Sequence, residues 1–214
     1  MSREGVHVLD SFLEAPGVTY MRFLLRDRNA PLVEEWREQF GDASDVDVSH
    51  GDIFDLKADA IVSPANSFGF MDGGIDLAYS LRFGWSLQDR LRNLLQLEHD
   101  GELPVGQAVI VPTDHADIPW LISAPTMRIP MDVSTSVNAY LAFRAAIRAV
   151  RDHNRTAAKP IDTILCPGLA TGVGCLPCPV CALQMFLAYH TAHCGKAWTF
   201  DTLGSAMQSH AAMV

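Results

Sequence analysis

Along this chain the spacing of apolar residues switches between a period of two and a period near 3.6, which marks strands and helices in turn. Val6 to Phe12 and Val18 to Leu25 are two strand candidates separated by Glu14-Ala15-Pro16-Gly17, where Pro-Gly signals a turn, so a hairpin is expected. Asn29 or Ala30 starts a helix with Pro31 early in it and Leu32, Val33, Trp36 and Phe40 on one face, and Gly41 stops it. Val46-Asp47-Val48 alternates like a strand and runs into Gly51-Asp52-Ile53-Phe54. Ala60-Ile61-Val62 is a short apolar run of the kind buried on both faces of a sheet. From Leu77 to Leu97 the period is helical, broken near Gly84, with Leu81, Trp85, Leu87, Leu91, Leu94 and Leu95 on the apolar face. Gly106 to Val111 and Trp120 to Ser123 are short buried-strand candidates. The segment Ala124 to Met131 is too interrupted by proline for regular structure. Asp132 or Ser134 caps a long helix reaching about Asn154, with Val137, Leu141, Ala145 and Ile147 inward. Ile161 to Cys166 is another strand, Pro167 to Pro177 a glycine-rich loop, and Val180 to His193 a further helix. Trp198-Thr199-Phe200 is a candidate last strand, and Gly204 onward reads as a loose tail.

Strands alternating with helices predict an α/β fold, with a mixed or parallel sheet covered on both sides. A chain of 214 residues can bury a full core unaided, and with no internal repeat or low-complexity linker one domain is expected. The formal net charge of −9 and the pI near 5.2 argue against nonspecific nucleic-acid binding, which needs a basic face. That balance still allows an enzyme acting on a modified group carried by a nucleic acid. No apolar run approaches the roughly 18 residues of a membrane span. The N-terminus MSREGVHVLD lacks the basic region and long apolar core of a signal peptide, so a soluble, cytoplasmic protein without a membrane partner is expected. Five cysteines lie at 166, 175, 178, 181 and 194, and in a cytosolic chain disulfides between them are not expected.

Two loops carry the candidate chemistry. After Ala60-Ile61-Val62 come Ser63, Pro64, Asn66 and Ser67, which can hydrogen-bond but cannot continue a sheet. Asp72, Gly73, Gly74 and Asp76 then lead into a helix start at Leu77, so strand, glycine loop and helix make an anion- and sugar-binding corner. The second loop reads Pro167-Gly168-Leu169-Ala170-Thr171-Gly172-Val173-Gly174. Its three glycines let the backbone approach a ligand and turn N–H groups toward an anion. It is neither a Walker loop, since no Gly-Lys-Ser/Thr follows, nor the dinucleotide fingerprint. In an open α/β sheet both loops fall at the carboxyl ends of the strands, where ligands bind.

Gly51-Asp52-Ile53, Ala58-Asp59-Ala60-Ile61-Val62, Pro64-Ala65-Asn66-Ser67 and Gly73-Gly74-Ile75-Asp76 together resemble the first half of a macrodomain, the ADP-ribose-binding α/β/α module. Gly168-Leu169-Ala170-Thr171-Gly172-Val173-Gly174 resembles that family's second, phosphate-embracing loop. The resemblance runs from about Val46 to His193 and implies a three-layer α/β/α mixed sheet. It divides the chain into an N-terminal hairpin and helix extension over residues 1–45, a macrodomain over 46–200 and a tail over 201–214.

By that resemblance Asp52 accepts a hydrogen bond from the adenine amino group and the Ile53 backbone lies beside the base. Asn66 contacts the distal ribose, and Gly73, Gly74 and Ile75 pass close to the diphosphate and ribose. Gly168, Thr171, Gly172, Val173 and Gly174 surround the phosphates, with backbone N–H groups as donors. Asp76 matches the carboxylate that positions or activates water near the anomeric carbon in hydrolytic members. The resemblance implies no cofactor and no metal. The ligand would be ADP-ribose or an ADP-ribosylated protein or nucleic acid, and Asn66 with Asp76 would direct its hydrolysis.

The chain also departs from the family. Ser63 stands where many hydrolytic members have asparagine, and Met71-Asp72 interrupts a longer glycine run. The second loop lacks the aromatic that often stacks on the ribose, since Val173, Cys175 and Leu176 supply none. These departures bear on catalysis more than on binding, because backbone donors survive side-chain change.

Simpler roles compete. Asp52 could cap a turn, Asp76 could be only a helix N-terminal charge worth about 0.3–1 kcal/mol, and Asn66 could close an Asx-turn. Arg128 either faces the site or is a solvated loop cation. A non-catalytic ADP-ribose reader uses the same donors without activated water. Cys175-x-x-Cys178-x-x-Cys181, with Cys194, His190 or His193, matches part of a tetrahedral zinc shell. A thiol acidified at a helix N-terminus is the related alternative for Cys175. Small apolar cysteines packed under the loop are the competing account.

Overall fold

The structure, a computed structural model, describes residues 21–214. The first strand and the turn of the expected hairpin, residues 6–17, lie outside the described residues. The elements follow in order as β1 (Arg22–Asp27), α1 (Ala30–Phe40), β2 (Val46–His50), a 3-10 turn (Ile53–Asp55), β3 (Ala60–Ser63), α2 (Gly74–Phe83), α3 (Ser86–Glu98), β4 (Val109–Pro112), β5 (Trp120–Ser123), α4 (Asn138–Asn154), β6 (Thr163–Cys166), α5 (Cys178–Ala192) and α6 (Leu203–Ala211).

These strands form one sheet in the order β2-β1-β6-β3-β5-β4. Neighbours run parallel except β4, which is antiparallel to β5 at the edge. Strand alternation decides what each face buries. Phe23, Leu25, Ala60, Val62, Ile122, Ile164 and Cys166 join the apolar layer of α1, α4 and α5. Ile61, Val109, Val111, Leu121 and Leu165 join the opposite layer, with Tyr79 of α2 and Leu87, Leu91 and Leu95 of α3. The result is the three-layer α/β/α arrangement with a mixed sheet that the pattern predicts. The helical stretch does break at Gly84, whose φ of +91° glycine tolerates and which closes α2 by donating its N–H to the Ser80 carbonyl.

The structure alters several boundaries. By sequence, residues 1–45 form an extension packed on the module. Instead β1 is an inner strand, bonded to β2 on one side and to β6 on the other, and α1 covers the same face as α5. Phe23 of β1 is fully buried, edge-on to Phe143, Tyr189 and His193 at centroid distances of 5.7, 5.7 and 5.0 Å. The long helix begins at Asn138, not at residues 132–134. There the chain turns, because Val133 donates its N–H to Gly174 and Asp132 caps the Ser134 N–H.

The expected loose tail is α6, started by a capping box between Thr202 and Ser205. Buried Gln184 of α5 ties that end down, donating to the Ser136 and Met213 carbonyls at 2.7 Å each. Trp198 to Phe200 form no strand; their rings stack on each other, and Trp198 Nε1 donates to the Tyr140 hydroxyl.

Because β1 is integral to the sheet, Phe23→Ala is expected to cost about 3–5 kcal/mol in chemical denaturation. A cost below about 1 kcal/mol would mean that β1 is peripheral.

Candidate functional site

β3 and β6 are adjacent parallel strands, so the chain leaves both at the same edge of the sheet. The loop after β3 runs from Pro64 to Gly73 and the loop after β6 from Pro167 to Pro177. They face each other across a cleft of about 350 Å³. A second lobe of about 270 Å³ adjoins it, sharing Asp27, Gly74, Ile75 and Pro167. Asn66, Gly73, Gly74, Ile75, Asp76, Gly168, Thr171, Gly172, Val173 and Gly174 line the first lobe. Asp52 and Ile53 line the second, with Arg28, Phe54 and Ala78. The two distant loops and the Gly51-Asp52-Ile53 corner are therefore brought together as predicted.

What the cleft offers is mainly backbone. Among the described residues, the N–H groups of Ala170 to Gly174 find no acceptor within the chain; the loop closes instead through Cys175 N–H to Gly172 and Leu176 N–H to Ala170. Opposite, Gly74, Ile75 and Asp76 form the first turn of α2, where helical N–H groups have no intrahelical partner. Two sets of unpaired donors, one of them at the positive end of a helix dipole, make an anion site without a cationic side chain.

The glycines divide by role. A Cβ on Gly168 would lie 2.4 Å from Leu32 Cδ2, and one on Gly174 would lie 2.5 Å from the Ala170 carbonyl oxygen and 2.8 Å from Val133 Cγ2. Those two allow close packing of the loop. Gly73, Gly74 and Gly172 meet nothing within 4 Å and border open space; Gly74 has a φ of +55°.

The carboxylates differ sharply. Asp76 is buried in the first turn of α2 and lines the cleft, and Ser63 Oγ, buried at the end of β3, donates to its Oδ1 at 2.5 Å. Burial pushes its carboxyl up to about 7 despite the opposing Ser63 hydrogen bond. Asp52 is held below the ordinary carboxylate range, first by the Phe54 N–H at 3.0 Å and then by the Arg28 guanidinium paired with it. It does cap the 3-10 turn, and it also faces the second lobe.

Asn66 turns its amide on its own loop: Oδ1 accepts the N–H groups of Phe68 and Phe70, and Nδ2 donates to the Phe70 carbonyl at 2.8 Å. Arg128 does not line the cleft. It forms a bidentate pair with Glu102 at 2.8 and 3.0 Å and lies over the Phe68 ring.

Several lining residues escaped the sequence pattern. Asp27, at the end of β1, accepts the Asn29 N–H at 2.8 Å and the Gly168 N–H at 2.9 Å, fixing the second loop to β1. Its place at a strand's carboxyl end was the available signal. Thr126, Met127 and Pro130 come from the proline-broken segment, which zips onto the first loop through Thr126 N–H to Ala65 and Ser67 N–H to Met127. Phe70 also reaches the cleft, from between two loop residues with no periodic signal.

Among the described residues, no three His, Cys, Asp or Glu side chains gather as metal ligands. Cys175 is exposed with its Sγ toward the Val173 carbonyl, Cys178 approaches Asn29, and Cys181 is buried, donating to the Leu169 carbonyl. Burial pushes the Cys181 thiol up to about 12, the opposite of an activated nucleophile.

The Macro domain family model matches residues 62–185. The chain belongs to the Macro domain family. A protein of Aquifex aeolicus is 33% identical over 141 residues, covering 66% of this chain and 78% of that one. The macrodomain of Mycobacterium tuberculosis DarG superposes with a TM-score of 0.56 at 22% identity, covering 67% of this chain and 88% of that one. Thermosipho africanus DarTG, solved in complex with ADP-ribose, gives 0.54 at 16% identity over 66% of this chain and 37% of that longer one.

Two outcomes test this geometry. Gly174→Ala is expected to lower stability by about 1–3 kcal/mol in thermal unfolding, because backbone stands where the methyl must go, while Gly172→Ala leaves it within about 0.5 kcal/mol. Asp76 has a folded pKa raised above its unfolded value. Native protein therefore holds a proton that the unfolded chain has lost between about pH 4 and 7, and stability falls as pH rises through that window. Asp76→Asn should consequently stabilise the fold more at pH 8 than at pH 5 in melting curves; an equal shift at both would show that Asp76 does not titrate there.

Proposed function

We propose that this macrodomain binds ADP-ribose across both lobes and hydrolyses it from a modified macromolecule or an ADP-ribose derivative. The observation that carries the proposal is the opposed pair of unpaired backbone donor sets, Ala170 to Gly174 against the first turn of α2. Between them a diphosphate finds hydrogen bonds that a neutral ligand would leave unused. The adjoining lobe, with Asp52 as acceptor and Ile53 and Phe54 as apolar walls, suits adenine. ADP-ribose in the related Thermosipho structure supports the same ligand here.

Asp76 and the open glycines Gly73 and Gly74 border the lobe beyond the diphosphate, where the distal ribose would lie. A carboxyl that titrates near 7 is matched to taking a proton from water at neutral pH. Catalysis is then positioning plus fixed dipoles, with no metal step required. One observation favours the alternative of a non-catalytic reader. The Asn66 amide is engaged by Phe68 and Phe70 of its own loop, which withdraws one of the two side chains expected to orient water.

The test is a panel of ADP-ribosylated proteins, nucleic acids and O-acetyl-ADP-ribose, with release of free ADP-ribose as the readout. Release that rises with pH through about 7 is expected, and Asp76→Asn should lose about a hundredfold or more in rate while still binding ADP-ribose by calorimetry. Binding without release from any substrate selects the reader. No binding at all ends both readings.

A further inference from the structure

Gln184, midway along α5, is a polar side chain buried in an apolar layer, and both hydrogens of its amide are used. Nε2 donates to the Ser136 and Met213 carbonyls at 2.7 Å each, and Oε1 accepts the Tyr140 N–H at 3.2 Å. Tyr140 lies in the first turn of α4, where backbone N–H groups lack an intrahelical partner. One amide therefore joins the start of α4, the turn before it and the end of the chain beyond α6. Met213 is itself buried in the same layer, and Trp198 Nε1 donates to the Tyr140 hydroxyl at 2.8 Å as a second tie from that end.

The turn that Gln184 holds touches both glycine loops. Val133 donates its N–H to the Gly174 carbonyl at 3.0 Å, and its Cγ2 stands 2.8 Å from where a Gly174 Cβ would be. Ser136 closes on Val133, its N–H and its hydroxyl reaching the Val133 carbonyl at 3.0 and 2.7 Å. On the other side Asn138 Nδ2 donates to the Thr126 carbonyl at 2.7 Å, and the Thr126 N–H donates to Ala65 of the first loop at 3.0 Å. Residues 133–138 thus form a bracket with one glycine loop on each arm. The second lobe is braced independently, since Arg26 Nε donates to the Asp52 carbonyl at 2.6 Å and Asp52 accepts the Phe54 N–H at 3.0 Å.

We propose that Gln184 is a positioning residue for the diphosphate. Anchored on the Met213 carbonyl, it fixes the bracket and through it the gap between the two loops. The segment after residue 185, where the family match ends, is then a working part of the ligand site. The proposal rests on the ADP-ribose reading above. Backbone donors cannot swing toward a ligand as side chains do, so the two sets converge on one anion only when their loops are held at the right separation.

The experiment compares affinities for ADP and adenosine by NMR titration, because ADP needs the gap between the loops and adenosine needs only the second lobe. Gln184→Met keeps length and apolar packing but removes the three hydrogen bonds. It should weaken ADP by about tenfold and leave adenosine within about twofold. Asn138→Ala, which frees the other arm, and Met213→Asp, which undocks the end of the chain, should give the same split. Should Gln184→Met fail to fold, the comparison in Asn138→Ala decides. Unchanged ADP affinity overturns the proposal, and so does an equal loss of both ligands, which is the mark of general destabilisation. A split in Gln184→Met that Met213→Asp does not repeat removes the end of the chain from the site. Wild type binding neither ligand is a different result, which removes the ADP-ribose reading and this proposal with it.

Discussion

The parallel pairing of β3 with β6, Ala60 opposite Ile164 and Ile61 opposite Leu165, is the constraint on which the rest depends. Parallel neighbours must leave the sheet at the same edge, so each glycine loop inherits the other as its facing wall. The register is pinned at the entry to both strands. Asp59 Oδ2 accepts the N–H groups of Asp162 and Thr163 and the Thr163 hydroxyl, and the Asp59 N–H returns a bond to Thr163 Oγ1. At the exit, Asp27 holds the Gly168 N–H and so ties the second loop to a third parallel strand, β1. A slip of one residue would send Ile61 and Leu165 into the wrong core layer and separate the loops together.

An anion cleft in a chain of net charge −9 needs its nearby carboxylates managed. Asp27 spends both oxygens on backbone N–H groups. Asp52 is paired with Arg28 and the Phe54 N–H. Asp76 is buried enough to keep a proton to near neutrality. What the cleft offers an anion is then backbone dipoles held at fixed positions, which act at short range and contribute little to the long-range field.

The same burial that raises Asp76 couples the site to the fold. Ser63 ends β3 and gives Asp76 its hydrogen bond, while the next helical turn places Tyr79 against the Val62 carbonyl at 3.1 Å. The ionisable carboxyl is thus built into the joint between sheet and helix. Keeping it there lowers stability above neutral pH, because burial disfavours the charged carboxylate.

By itself the sequence determined the layers, most strands and helices, the break at Gly84 and the composition of both loops. Alternation, apolar period and glycine placement are local signals, and they report which residues must be buried or must turn. It also picked out many of the residues that line the cleft, because a glycine-rich loop directly after a buried strand is itself a local signal. Only tertiary structure decided how those residues are used. Residues 22–40 became central, not peripheral, because strand order is set by which edges pair, and no local pattern records that. Gly168 and Gly174 proved to be packing glycines while Gly172 borders the cleft, because what surrounds a missing Cβ comes from Leu32 and Val133, far away in sequence. Asn66, Phe70 and Arg128 took roles set by hydrogen bonds and contacts whose partners sit on other turns and helices, and those distances exist only once the chain has closed.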